Sequence, residues 1–139
     1  LSYKQQVLDA LKGEHAAILA QVREQERRIE ELEAEYQQMD GELAQRKLEG
    51  IAILDAMKYE QYLRAMERQI QLALEDLALL QKKEEAKRAE VVTAKQDTSS
   101  IEKLREKKLD HYKKAMQKNE EAMIDELVST KRVMEAQSA

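Results

Sequence analysis

Residues 8–43, LDALKGEHAAILAQVREQERRIEELEAEYQQMDGEL, decide the fold of this 139-residue chain. Eleven positions in this stretch follow one another at alternating intervals of three and four residues, and nine of the eleven are apolar. A repeat of 3.5 residues keeps one stripe of a helix facing a partner, so the stretch predicts a left-handed coiled coil. We call this stripe the first seam: Leu8, Leu11, His15, Ile18, Val22, Gln25, Ile29, Leu32, Tyr36, Met39 and Leu43.

A second stripe with the same spacing predicts the partner helix. Glycine is disfavoured inside helices and favoured just past their ends, so Gly41 and Gly50 place a turn at about residues 44–50. The predicted helices cover about residues 2–45 and about residues 51–137. We call the second stripe the second seam: Tyr59, Leu63, Met66, Ile70, Ala73, Leu77, Leu80, Glu84, Lys87, Val91 and Ala94.

An antiparallel hairpin closed at this turn pairs residues whose numbers sum to about 98. The predicted pairs are Tyr36 with Tyr62, Leu32 with Met66, Ile29 with Ile70, Val22 with Leu77, Ile18 with Leu80, and Leu8 with Val91. His15, a polar member of the first seam, falls opposite Glu84, a polar member of the second. We interpret them as a polar pair that fixes the register. A metal or proton site is the alternative, but a metal needs three or four convergent ligands and one histidine is present here.

The predicted second helix is much longer than its partner. At 1.5 Å per residue it measures about 130 Å, against about 70 Å for the first helix, which leaves everything after about residue 97 uncovered. Residues 97–100 are the weak point, because Ser99 and Glu102 have the spacing of a capping box and would allow the chain to fold back as a third helix. We favour a continuous helix, since neither glycine nor proline interrupts it.

Apolar residues continue in this overhang with an altered phase, which we expect to turn them in another direction around the helix. Methionine adapts to different packing partners, so the stripe predicts a surface for another protein. Self-association, in which two chains cover each other's overhangs, is the alternative. The candidate binding residues in the overhang are Leu104, Tyr112, Met116 and Met123.

The composition excludes several function classes. Charged residues make up 37% of the chain, and proline, cysteine, tryptophan and phenylalanine are absent, which is typical of long helices and argues against an α/β or all-β enzyme. A two-helix rod has no water-excluding pocket, so we expect no catalysis, no cofactor and no metal. No apolar run reaches the length of a membrane span and no signal peptide opens the chain, so we expect a soluble protein. The absence of cysteine suits a cytosolic one. Because the sequence begins at Leu1, we expect a short natural start to be missing.

Residues 101–118 hold seven basic and three acidic side chains. Such a segment could bind nucleic acid, but its charges are spread around the helix and interleaved. We therefore expect an acidic protein partner or a solvated face, and no nucleic-acid binding.

Three stretches resemble a known family. They are residues 3–8 (YKQQVL), residues 59–63 (YEQYL), and residues 101–107 (IEKLREK) continuing through Tyr112 to residues 125–126. Together they span essentially the whole chain in an order and spacing similar to the FliJ family of the bacterial flagellar type III export apparatus. More distantly, the chain resembles the YscO-type proteins of virulence secretion systems.

The resemblance implies a non-enzymatic hairpin that acts like the central stalk of a rotary ATPase. The end with both termini would insert into the hexameric export ATPase ring and promote its assembly and activity, through the helix around Leu104, Tyr112, Met116 and Met123. The hairpin tip would contact the cytoplasmic domain of the export-gate membrane protein. The tip residues would be Leu32, Tyr36, Tyr62 and Met66.

The resemblance also implies that the protein escorts empty substrate chaperones and works in the cytoplasm, at the inner face of the membrane beneath the flagellum. A structural coiled-coil homodimer acting as a scaffold or spacer is the alternative function. Stoichiometry separates the two, because a stalk should be largely monomeric at micromolar concentration and a scaffold should stay dimeric on dilution.

Overall fold

The computed structural model describes residues 1–138; Ala139 lies outside them. The chain forms two helices, α1 (Ser2–Glu49) and α2 (Ile53–Ser138), which pack against each other as an antiparallel hairpin. This confirms the predicted all-α fold, a long coiled-coil hairpin with a helical overhang. Alanine, leucine, glutamate, lysine, arginine and glutamine dominate both helices, and these residues lose little side-chain freedom in a helix.

The two seams form the interface between α1 and α2. All eleven positions of each seam are buried or half-buried, while most residues between them are exposed. Removal of these apolar side chains from water is the main stabilising contribution available to a two-helix rod. The most buried apolar residues are Leu8, Ile18, Val22, Ile29, Leu43, Leu63, Met66, Ala73 and Val91.

Two hydrogen bonds across the interface fix the register. His15 Nε2 lies 2.9 Å from Glu84 Oε1, and Gln25 Nε2 donates to the backbone oxygen of Ala73 at 2.9 Å. These two pairs have residue numbers that sum to 99 and 98, in agreement with the predicted pairing. A slip by one heptad would leave both polar side chains against apolar neighbours, so they penalise other registers.

The connection between the helices is shorter than the sequence suggests. α1 continues through Gly41 to Glu49, beyond the expected end near residue 45, and the connection is residues 50–52. Gly50 has a φ of 101°, which L side chains rarely adopt and glycine adopts freely. Burial of Leu43 offsets the cost of about 1 kcal/mol for a glycine inside a helix.

Contacts between the two helices also hold the end of the rod together. The guanidinium of Arg46 lies 5.4 Å from the centroid of the Tyr59 ring, and Lys47 Nζ lies 3.4 Å from Glu60 Oε1. Both contacts are on the surface, where such interactions each contribute about 1 kcal/mol or less.

α2 runs without interruption through residues 97–100, so the chain does not fold back as a third helix. Thr98 is buried and Ile101 is half-buried, which shows that the interface extends through the capping-box sequence. Every residue from 102 to 137 is exposed. The overhang of α2 is therefore about 55 Å of helix with no covering element among the described residues.

A charge placed in the seam should unfold the hairpin. Ile29→Asp buries an unpaired carboxylate at a residue that is only 6% exposed, so we expect a loss of about 3 kcal/mol or more in unfolding free energy. Urea denaturation followed by circular dichroism measures this loss. Leu79→Asp is the control, because Leu79 is exposed on the same rod; equal losses for both variants would contradict the seam.

Thr98 should be a weak point of the interface. Its Oγ1 is buried without a hydrogen-bond partner, and an unsatisfied buried hydroxyl costs about 1–3 kcal/mol. Thr98→Val keeps the shape and removes the hydroxyl, so we expect a gain of about 1 kcal/mol and a higher melting temperature. Thr130→Val is the control at an exposed site and should leave the melting temperature unchanged. A lower melting temperature for Thr98→Val would show that the hydroxyl is satisfied.

Candidate functional site

The surface of the rod offers open grooves. One shallow cleft is lined by Arg64, Glu67, Arg68 and Gln71 along a single face of α2. No group of three or more His, Cys, Asp or Glu side chains in residues 1–138 is placed to hold a metal ion. Within the same range, neither helix has a stretch long and apolar enough to cross a bilayer.

The polar pair of the seam, His15 and Glu84, lies in a part of the interface that is largely shielded from solvent. His15 and Glu84 hydrogen-bond while both are largely shielded from solvent, and Arg88 Nη2 approaches the second carboxylate oxygen of Glu84 at 3.4 Å. Glu84 is therefore held from two sides by groups on α1 and α2. This arrangement supports the interpretation of the pair as a register device.

Charges flank the same stretch of the interface. Lys87 Nζ lies 2.9 Å from Glu14 Oε2 on α1 and 2.8 Å from Glu90 Oε2 on its own helix. Hydrogen bonds to Glu90 and Glu14 raise the pKa of Lys87 above its ordinary value. Lys87, the second charged residue of the second seam, is thus directed to acidic groups at the edge of the interface.

The structure separates the four residues that the resemblance assigns to the tip. Met66 is only 3% exposed and packs between the helices, and Leu32 and Tyr36 are half-buried in the seam. Tyr62 is 47% exposed and lines a cleft with Met39 and residues 35, 38 and 42 of α1. Of the four, Tyr62 presents the most surface to a partner.

The predicted pairing of Tyr36 with Tyr62 inside the seam is wrong. The Tyr36 hydroxyl donates a hydrogen bond to Glu67 Oε1 at 2.7 Å, and this bond raises the pKa of Tyr36. Tyr62 immediately precedes the seam residue Leu63 and lies at the edge of the interface, where its ring lines the cleft with Met39 and stays 47% exposed.

An apolar surface at the turn was missed by the heptad analysis. We call it the tip patch: Leu48, Ile53, Leu54 and Met57, all exposed. Leu48 is 84% exposed at the end of α1, and the other three lie in the first turns of α2. The signal was present in residues 51–54 (IAIL), an apolar run next to Gly50 that belongs to neither seam.

All four residues predicted for the overhang surface are exposed: Leu104, Tyr112, Met116 and Met123. The expected change of direction follows from a repeat of 3.5 residues, and a straight helix of 3.6 residues per turn does not show it. In a helix of 3.6 residues per turn, 18 residues complete five turns, so Met116 lies on the same side of α2 as buried Thr98. Tyr112 and Met123 lie close to that side, and Leu104 lies away from it. The face that α1 covers therefore continues uncovered along the overhang.

The comparisons with known proteins identify a family. The model of the family described as FliJ, flagellar FliJ protein, matches residues 1–137. No curated protein and no solved structure matches the chain. Because the family model covers nearly all of the sequence, and because the structure has the helical hairpin that the resemblance implied, the chain belongs to the flagellar FliJ family.

Proposed function

We propose that this flagellar export protein is a stalk whose overhang inserts into the hexameric ring of the export ATPase and promotes its assembly and activity. The observation that carries the proposal is the length mismatch between the helices. From residue 102 to residue 137, α2 is a single exposed helix with apolar residues along one side. A single helix is slender enough to enter a protein ring, and its exposed stripe needs a covering partner.

The rod would act by its contacts. A stalk that touches equivalent subunits of a ring at different places presents Met116 and Met123 to one subunit and charged faces to another. The ring conformation that binds the stalk more tightly is then favoured, and by linkage its affinity for nucleotide changes as well. Such coupling requires no catalytic group on the stalk.

The opposite end of the rod is proposed to contact the export gate. Exposed Tyr62 and the tip patch support this assignment, because they form the apolar surface at the turn, on the far side from the overhang. Leu32 and Tyr36 can contribute only their partly exposed edges. Met66 is only 3% exposed and offers almost no surface to a partner.

Chaperone escort is proposed for the outer faces of the hairpin. These faces carry many charges, including Arg27, which pairs with Glu24 and Glu31. The hydrogen bond from Arg27 lowers the pKa of Glu24. The proposed location is the cytoplasm at the inner face of the membrane beneath the flagellum, where ring, gate and chaperones meet.

Titration of the export ATPase from the same organism with this chain tests the stalk. We expect a higher ATP hydrolysis rate and more hexamer. Met116→Glu/Met123→Glu should shift half-stimulation to concentrations at least about tenfold higher, since two buried methionines each contribute about 1.5–3 kcal/mol.

Leu72→Glu/Leu79→Glu is the matched control for this assay, because both leucines are exposed on the hairpin body. The control should stimulate like the unaltered chain. Equal stimulation by the overhang variant would contradict insertion of the overhang, and the absence of any stimulation by the unaltered chain would contradict the stalk itself.

Binding to the isolated cytoplasmic domain of the gate protein tests the tip. Ile53→Glu/Leu54→Glu should weaken binding at least about tenfold by placing charges in an apolar contact. The free energy of unfolding should change by about 0.5 kcal/mol or less, because both side chains are exposed. Met116→Glu/Met123→Glu should bind the gate domain normally. If only the overhang variant bound the gate domain more weakly, the overhang and not the tip would be the end that contacts the gate.

A further inference from the structure

An apolar stripe runs along the overhang and is interrupted by Asn119 and Glu120. We call it the overhang stripe: Leu109, Tyr112, Met116, Met123, Leu127 and Met134, all exposed. Tyr112 and Met123, Met116 and Leu127, and Met123 and Met134 are each eleven residues apart, which is close to three helical turns. The stripe therefore stays on one side of a straight helix for about 38 Å.

The overhang stripe prolongs an existing interface. Met116 and Met134 follow Thr98 by 18 and 36 residues, which are five and ten full turns at 3.6 residues per turn. Thr98 is 5% exposed because α1 covers it. The stripe thus lies on the same face of α2 that packs against α1. That contact stops where α1 begins, at Ser2. A second helix laid end to end with α1 would continue the same packing.

The charges of the overhang are divided between its halves. Residues 101–118 hold seven basic and three acidic side chains, whereas residues 119–138 hold two basic and five acidic ones. Two overhangs side by side in parallel would place like-charged halves together. Two antiparallel overhangs place each basic half beside an acidic half, and opposite charges within about 8–10 Å attract at physiological salt.

We propose that a second copy of this chain covers the overhang stripe, in an antiparallel, two-fold symmetric dimer. Residues 101–138 of one copy lie beside residues 138–101 of the other, with the two-fold axis near residue 119. Each overhang then takes the place of a prolonged α1 for the other, and the two hairpin bodies project in opposite directions. The contact is isologous, so it closes at two copies and does not form a filament.

The dimer is reversible, since the stripe is narrow and association carries a large entropic cost. We expect a dissociation constant on the order of tens of micromolar. In the dimer, the partner copy covers the face that is proposed to enter the ATPase ring, so ring and partner copy compete. The dimer itself does not depend on the stalk role and is measured without the ATPase.

Sedimentation equilibrium of the purified full chain over a concentration series tests the dimer. We expect mostly monomer at a few micromolar and mostly dimer at several hundred micromolar. Met116→Glu/Met123→Glu should raise the dissociation constant at least tenfold, and Leu72→Glu/Leu79→Glu should leave it unchanged. Helix content measured on each sample separates loss of contact from loss of fold. A chain that stays monomeric at several hundred micromolar would overturn the proposal.

Charge reversal tests the electrostatic part. A variant with an acidic first half and a variant with a basic second half should each dimerise at least tenfold more weakly, and an equimolar mixture of the two should recover the original affinity. The variants are Lys113→Glu/Lys114→Glu/Lys118→Glu and Glu121→Lys/Asp125→Lys/Glu126→Lys. Unchanged dimerisation of both variants alone would remove charge as the determinant of orientation.

Spin-label distances test the antiparallel orientation, and the absence of cysteine makes single labelling clean. Labels on Asn119→Cys should lie within about 20 Å of each other, because packed helix axes are about 8–10 Å apart. Labels on Leu104→Cys should lie about 45 Å apart, since each is 15 residues from the two-fold axis. Short distances at both positions would show a parallel dimer and overturn the proposal.

Discussion

The packing of the apolar face of α1 against α2 is the interaction on which the rest of the structure depends. The chain is 37% charged and has neither phenylalanine nor tryptophan, so no compact core is available and each helix is covered only on one side. The stability of the rod therefore comes from a single row of side chains. Because α1 spans Ser2–Glu49 while α2 continues to Ser138, the same row also defines which part of α2 is left uncovered by the described residues.

The register of that row is set by polar groups. Two hydrogen bonds do this: one joins His15 and Glu84, and one runs from Gln25 to the backbone oxygen of Ala73. They add little net stability, because each group gives up its hydration to form the contact. In a register shifted by one heptad, His15 and Glu84 would lose each other as partners. The hairpin thus has one preferred alignment, which places Gly50 and the tip patch at one end and leaves the overhang at the other.

The candidate surfaces were predicted unevenly. The four predicted overhang residues are exposed as expected, because α1 does not lie alongside them. They are Leu104, Tyr112, Met116 and Met123. Met66 is buried because it lies in the seam, and Tyr62 is exposed because it lies at the edge of the seam. The tip patch was overlooked because Ile53, Leu54 and Met57 follow no heptad. A search for the period alone passes over apolar residues that have no partner.

The sequence by itself determined the helical class, the antiparallel pairing and the membership of the FliJ family. These properties are encoded locally, in a heptad repeat and in a match that covers residues 1–137. The tertiary structure decided the rest: that Gly41 stays inside α1, that Thr98 is buried without a partner, and that the overhang presents the same face that α1 covers. Each of these depends on where a second helix lies, and the position of one helix against another follows from packing along the whole interface.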